Sequence, residues 1–115
     1  MKYNVVYSSM GFHKNIEVDT NSKIVKRDGE QIFCNISKVV EHLDNITKDW
    51  EYLEPDFRRT DVPRLVVEIM EDNGKNKKYD YYGNFPKNIG ELFDLFEKFE
   101  ECELVTPSLN KDMTK

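Results

Sequence analysis

The strongest hydrophobic pattern in the chain is helical and lies near its C-terminal end, over residues 86–103. At about 100° per residue, the apolar side chains of this segment fall within about half of the helix circumference. They are Ile89, Leu92, Phe93, Leu95, Phe96, Phe99 and Cys102. The other side is charged and mostly acidic. The pattern therefore predicts a helix with one face in the core and an acidic ridge on the other.

A second helical pattern follows Asn35, a residue type that is suited to the N-cap position. Its apolar positions are Ile36, Val39, Val40, Leu43 and Ile46. This spacing predicts a first helix over residues 36–46. The spacing also continues through Trp50 and Leu53, so an extension to Glu54 is an open alternative, and Pro55 ends it.

Alternation of apolar and polar residues covers most of the remaining chain. Residues 3–9 and 16–19 alternate with period two, as do residues 64–71 and 77–83 on either side of Asn73-Gly74, a dipeptide typical of a tight hairpin. Residues 23–34 contain Asp28-Gly29, which marks either a bulge in one strand or the turn of a separate hairpin. Residues 54–63 show no periodicity and predict the longest irregular loop.

The order strand, strand, strand, helix, strand, strand, helix predicts the α+β class. We expect an antiparallel sheet of about five strands with both helices on one face. The length of 115 residues fits one domain. We assign that domain to residues 1–103 and expect residues 104–115 to form a polar tail.

The composition indicates a folded acidic protein. Seven Phe, six Tyr and one Trp support a core, and 22 acidic residues against 17 basic ones give a net charge of −5. A surface of this sign disfavours direct nucleic-acid binding and favours a basic protein surface as the partner. The sequence contains neither an apolar leader-like segment nor an apolar run of membrane-spanning length, which predicts a cytoplasmic protein without membrane contact.

The spacing of reactive residues offers no recognisable catalytic, metal or nucleotide site. His13 and His42 lie in different predicted elements, and Cys34 and Cys102 are far apart without a CxxC motif, so we expect free thiols. The glycines are scattered and form no phosphate-binding loop. We therefore expect no cofactor, no metal and no enzymatic activity. A small hydrolase-like enzyme with an unrecognised site is an alternative.

The candidate partner-binding residues are acidic or aromatic. They are Glu97, Glu100, Glu101, Tyr79, Tyr81 and Tyr82. The glutamates lie toward the negative end of the helix dipole, where carboxylates do not stabilise the helix, and such groups can neutralise a basic groove on a partner. Alternation places at least one of the tyrosines away from the helices, and exposed aromatic residues suit binding surfaces. The alternative is that the acids only solubilise the helix and the tyrosines only cover the sheet.

Two motifs carry a resemblance to known proteins. Tyr7-Ser8-Ser9-Met10-Gly11-Phe12 after the first strand, and Tyr82-Gly83-Asn84-Phe85-Pro86 before the last helix, resemble small bacterial and phage single-domain proteins over residues 3–102. The nearest described members are emfourin-like protein inhibitors of metallopeptidases, which carry a Gly-Gly-Phe turn where this chain has Met10 at the first glycine. The resemblance implies the fold and, through those inhibitors, a protein-binding role; it implies no catalytic residue.

Together these features predict a non-enzymatic protein-binding module, either a small acidic inhibitor or an immunity-type or anti-defence protein. Its partner is expected to present a basic site, as on a toxin, a nuclease of a defence system or a peptidase. A homodimeric structural or assembly protein is the other alternative. The sequence leaves both the monomer and the homodimer open.

Overall fold

A computed structural model describes residues 1–56 and 62–105 of the chain. Its elements are β1 (Lys2–Ser9), β2 (Phe12–Asp19), β3 (Ile24–Arg27), β4 (Glu30–Ile32), α1 (Ile36–Thr47), β5 (Arg64–Met70), β6 (Asn76–Tyr82) and α2 (Ile89–Glu100). The strands form a six-stranded antiparallel sheet in the order β4-β3-β2-β1-β5-β6. The predicted α+β class is confirmed, although the expected number of about five strands is too low.

The additional strand comes from residues 23–34, where the sequence left a bulge and a hairpin both open. β3 and β4 pair with Arg27 opposite Glu30, so Asp28 and Gly29 form a two-residue turn. Their φ angles are +51° and +87°, the positive values that a type I′ hairpin requires. The segment is therefore a separate hairpin that extends the sheet beyond β2.

α1 begins where the sequence predicts and ends before the longer alternative. The Asn35 side chain accepts a hydrogen bond from Lys38 N at 3.2 Å and caps the first turn. The helix ends at Thr47, so the extension to Glu54 is wrong. The physical reason is Trp50, whose side chain turns back into the core instead of continuing the helix.

Asn88 joins the two helices at this point. Its side-chain amide donates to Ile46 O at 2.8 Å, and its side-chain oxygen accepts from the Trp50 indole at 2.7 Å. The first of these bonds satisfies a carbonyl in the last turn of α1. α2 begins at the next residue, Ile89, later than the predicted start at Pro86.

The C-terminal end of α2 is held by a cation from the sheet. The Arg27 guanidinium donates to the carbonyl oxygens of Phe99 and Cys102, the second at 3.3 Å. α2 ends at Glu100, before the predicted end at Glu103. Because a positive group is favourable at the negative end of the helix dipole, Arg27 compensates this end of α2.

The core lies between the helices and one face of the sheet. Its buried side chains alternate along the strands and meet the apolar stripes of both helices. The helices contribute Val39, Leu43, Ile46, Leu92, Leu95, Phe96 and Phe99, with Val40 at the margin. The strands contribute Tyr3, Val5, Ile16, Val18, Val25, Ile32, Leu65, Val67, Ile69 and Tyr81. Both helices therefore cover the same face, as predicted.

The residues after α2 return to the sheet. Leu104 forms an antiparallel bridge with Ile32 of β4. Two backbone hydrogen bonds of 2.9 Å flank this bridge, from Phe33 N to Glu103 O and from Val105 N to Gln31 O. The beginning of the predicted polar tail therefore pairs with β4 and covers its edge.

Two parts of the chain predicted to be irregular lie outside the described residues. They are residues 57–61 in the predicted loop and residues 106–115 in the predicted tail. Among the residues that are described, no helix combines the length and the apolar character needed to cross a membrane.

Candidate protein-binding surface

The β1–β2 hairpin exposes apolar side chains at its tip. Ser9 pairs with Phe12, so Met10 and Gly11 form the turn, and Gly11 adopts a φ of +72° that glycine accepts without strain. Met10 is 78% exposed and Phe12 is 49% exposed. Neither side chain belongs to the buried core. The tip therefore presents apolar surface that the fold does not use.

Tyr7 connects this tip to α2 through a cluster of aromatic rings. The ring centroid of Tyr7 lies 6.0 Å from that of Phe12 and 5.1 Å from that of Phe93, both in edge-to-face geometry. The Phe85 ring lies 6.4 Å away in a tilted arrangement, and the Phe93 ring lies 6.3 Å from that of Phe96. Edge-to-face contacts at these distances are favourable for aromatic pairs. The hairpin and the helix thus share one aromatic cluster.

A surface hollow of about 340 Å³ lies within this cluster, and we call it the aromatic groove. Its lining consists of Tyr7, Ser9, Phe12, Lys14, Phe93, Phe96, Glu97 and Glu100. Phe96 is buried and forms the floor, whereas Phe93 is 37% exposed and forms part of a wall. Exposed apolar side chains that lie together often mark an interaction site. The groove is therefore our candidate binding site.

Glu97 and Glu100 of α2 line the aromatic groove, and Glu101 is the C-cap residue that follows them. We call these three glutamates the acidic rim. Phe93, Glu97 and Glu101 recur every four residues, so they lie along one stripe of the helix. Glu100 pairs with Lys14 of β2, and the hydrogen bond from Lys14 lowers the pKa of the Glu100 carboxyl. Within the described residues, neither Glu97 nor Glu101 makes a salt bridge. Two carboxylates of the rim are therefore available to a partner, while Glu100 also supports the fold.

The predicted tyrosines do not join this surface. Tyr81 is 1% exposed and its hydroxyl donates to Glu51 O at 2.7 Å, which corrects its assignment to a partner surface and places it in the core. Tyr79 is half-buried, and its ring stacks on that of Tyr81 and packs against Trp50. Tyr82 alternates with Tyr81 and so points to the opposite face of the sheet. The tyrosines are therefore separated from the acidic rim.

Another hollow, of about 440 Å³ on the open face of the sheet, is lined mostly by polar and charged side chains, including Lys2, Glu17 and Lys26. The two histidines are exposed on separate elements, His13 on β2 and His42 on α1. In residues 1–56 and 62–105, no three His, Cys, Asp or Glu side chains group closely enough to hold a metal ion.

Sequence reasoning selected the three glutamates of the acidic rim, whose role in binding stays a prediction, and missed the aromatic groove. Its hairpin residues have a recognisable signal, because a two-residue turn at Met10-Gly11 makes Tyr7 and Phe12 diagonal neighbours on one face of the hairpin. Phe93 was placed on the wide apolar face of the helix, but it lies at the border of that face and is partly exposed. The meeting of the hairpin with the helix has no signal in the sequence.

The chemistry that this surface offers is recognition. Aromatic rings accept apolar or cationic side chains, and carboxylates accept hydrogen bonds from Lys or Arg. Compared with protein-family models, curated proteins and solved structures, the chain matches none significantly. The geometry of the surface is therefore the basis on which a function is assigned.

Proposed function

We propose that the protein is a protein-binding module that receives an apolar side chain of a basic partner in the aromatic groove. The observation that carries this proposal is the position of exposed Phe12 and Phe93 beside Glu97 in the lining of one groove, with Glu101 one helical turn further along the chain. Aromatic residues in a desolvated pocket dominate the affinity of many protein interfaces. Charged residues around such a pocket govern the rate and the specificity of association.

The charge of the molecule supports the choice of a basic partner. The net charge of −5 attracts a positively charged surface over distances of about 10 Å at moderate salt. A second copy of the chain is disfavoured as the occupant, because two acidic rims would repel one another. Light scattering of the free protein at micromolar concentration is expected to show a monomer.

A non-enzymatic inhibitor is the role that suits this surface. The partner would be a toxin, a nuclease of a defence system or a peptidase whose basic site is covered on binding. The resemblance of the Tyr7–Phe12 segment to emfourin-like inhibitors supports testing peptidases first.

The test begins with capture of a partner from a lysate of the host, identified by mass spectrometry, and continues with the purified pair. We expect Phe12→Ala to weaken binding by about 30-fold, or about 2 kcal/mol, because it removes an aromatic anchor. Glu97→Lys combined with Glu101→Lys should slow association by about tenfold at low salt and have a smaller effect at high salt. Surface plasmon resonance measures both effects.

The matched control for the charge reversal is Glu41→Lys combined with Glu51→Lys. Both glutamates are exposed and neither lines the aromatic groove, yet the change in net charge is the same. The control should change association less than the rim variant does. The proposal would be refuted if salt, the rim variant and Phe12→Ala all left the rate and the affinity of binding unchanged.

A further inference from the structure

Cys34 and Cys102 face each other beside β4, outside the aromatic groove. Their sulfur atoms are 2.8 Å apart, although the residues are 68 positions apart in the sequence. Both are free thiols that are partly exposed at the margin of the core. Their separation is longer than a disulfide bond of about 2.05 Å and shorter than two non-bonded sulfur atoms normally approach. The two thiols are therefore close enough to bond after a small movement.

A backbone bridge near the pair brings the two cysteine-bearing segments together. The hydrogen bonds on either side of the bridge make Ile32 and Leu104 a non-hydrogen-bonded antiparallel pair. Cys34 lies two residues after Ile32, and Cys102 lies two residues before Leu104. The bridge therefore holds the two cysteine-bearing segments next to each other, in addition to the contact between the sulfur atoms.

The surroundings of the pair decide which sulfur reacts first. Burial, together with the hydrogen bond to Cys102, raises the pKa of the Cys34 thiol to about 12, and the nearby Arg27 opposes this only in part. Cys102 lies just after α2, where its thiol donates to Lys98 O at 3.6 Å. Because burial disfavours the Cys34 thiolate, we assign the first attack on an oxidant to Cys102.

We propose that Cys34 and Cys102 are a modification site for a low-molecular-weight disulfide of the glutathione class, RSSR. The Cys102 thiolate attacks one sulfur of RSSR, forms a mixed disulfide and releases RS⁻, which is protonated to RSH. The Cys34 thiol then loses its proton and attacks the Cys102 sulfur, which forms the Cys34–Cys102 bond and releases the second RSH. The two protein thiols lose two electrons and two protons, and RSSR is reduced to two RSH.

The bond would hold the segment after α2 against β4. It closes a long loop, because 68 positions separate the cysteines, and a closed loop restricts the unfolded chain. It also anchors the C-terminal end of α2, the helix that carries the acidic rim. This effect on stability is independent of the proposed binding function, so the two proposals fail separately.

The experiment treats the reduced wild-type protein with oxidised glutathione under native conditions. Thiols are then counted in denaturant with a chromogenic reagent, and the intact mass is measured. We expect two thiols before treatment and none after it, a mass loss of about 2 Da, and a monomer on a non-reducing gel. The oxidised protein should unfold at a higher urea concentration than the reduced one, and dithiothreitol should reverse both changes.

Cys34→Ser and Cys102→Ser are matched controls, because each keeps one thiol. Cys34→Ser, which keeps Cys102, should take up one glutathione, whereas Cys102→Ser, which keeps the less reactive Cys34, should take up little, and the urea midpoint of neither should rise. Any one of three results would overturn the proposal. These are a wild-type product that retains glutathione, a disulfide-linked dimer, and two thiols that stay free in the folded protein under conditions that oxidise the unfolded protein. If the Cys34–Cys102 disulfide forms but leaves the urea midpoint unchanged, the proposal that it holds the segment after α2 against β4 is wrong.

Discussion

Single polar side chains hold together elements that are far apart in the sequence. Asn35 acts locally, because it caps the helix that follows it. Asn88 and Arg27 act at a distance, the first on the end of α1 and the second on the end of α2. The hydroxyl of Tyr3 likewise donates to Asp44 of α1 at 2.8 Å. The spacing of residues in the sequence therefore predicted the helix cap at Asn35 but not the hydrogen bonds that join distant elements.

Replacing Asn88 with alanine tests the bridge that joins both helices. The change leaves Ile46 O and the Trp50 indole N–H without their partner in a partly buried site. We expect the free energy of unfolding to fall by about 1–3 kcal/mol. Urea denaturation followed by tryptophan fluorescence measures this directly, because the chain contains 1 Trp.

Asn45→Ala is the control for this experiment. Asn45 is exposed on α1 and, among the described residues, its side chain makes no hydrogen bond. Its replacement should change the stability by less than about 0.5 kcal/mol. Equal stability of the two variants would show that Asn88 does not bridge the helices in solution.

Helix α2 contributes both to the core and to the aromatic groove, and one phenylalanine represents each contribution. Phe99 is 2% exposed and packs in the core, whereas Phe93 is 37% exposed in the wall of the aromatic groove. We expect Phe99→Ala to cost about 3–5 kcal/mol of stability and Phe93→Ala about 1 kcal/mol, because only the first change empties a core site.

Urea denaturation compares these two variants, and their binding to the partner provides the second measurement. Phe93→Ala should weaken binding while the domain stays folded, since it removes part of the groove. Similar losses of stability for both variants would mean that Phe93 is a core residue. The aromatic groove would then lack the Phe93 wall that the binding proposal requires.

The ends of the helices illustrate where local pattern loses its predictive value. The apolar spacing of α1 continues through Trp50, yet the helix ends at Thr47 because the indole packs against Tyr79 and Tyr81. α2 ends at Glu100, where the Arg27 guanidinium donates to the Phe99 carbonyl and supplies a positive charge at the C-terminal end of the helix. Periodicity located both helices, while contacts with β3 and β6 decided their ends.

The stability of the whole molecule should fall at alkaline pH, because buried tyrosines resist ionisation. Burial raises the pKa of Tyr81 from 10.0 to about 12, and burial with the hydrogen bond to Asp44 raises that of Tyr3. The unfolded chain loses these protons near pH 10, whereas the folded one retains them. The contribution is therefore fully present below about pH 10 and decreases as the pH rises toward about 12.

Urea midpoints measured across this pH range test the effect. The double variant Tyr3→Phe and Tyr81→Phe should be less stable at neutral pH but should lose less stability as the pH rises. Tyr52→Phe is the control, because that side chain is 76% exposed and its loss should leave the wild-type slope unchanged. Parallel pH slopes for the double variant and the control would disprove the assignment.

The α+β class, both helices and the hairpin of β5 and β6 followed from the sequence alone, because periodicity and turn chemistry depend on neighbouring residues. The grouping of Glu97, Glu100 and Glu101 followed for the same reason, since they lie close together in the sequence, in the last turn of α2 and at its C-cap. The strand order, the aromatic groove, the burial of Tyr81 and the pairing of Cys34 with Cys102 did not. Each of these brings together residues from separate elements, and such contacts are decided only when the elements pack around a common core.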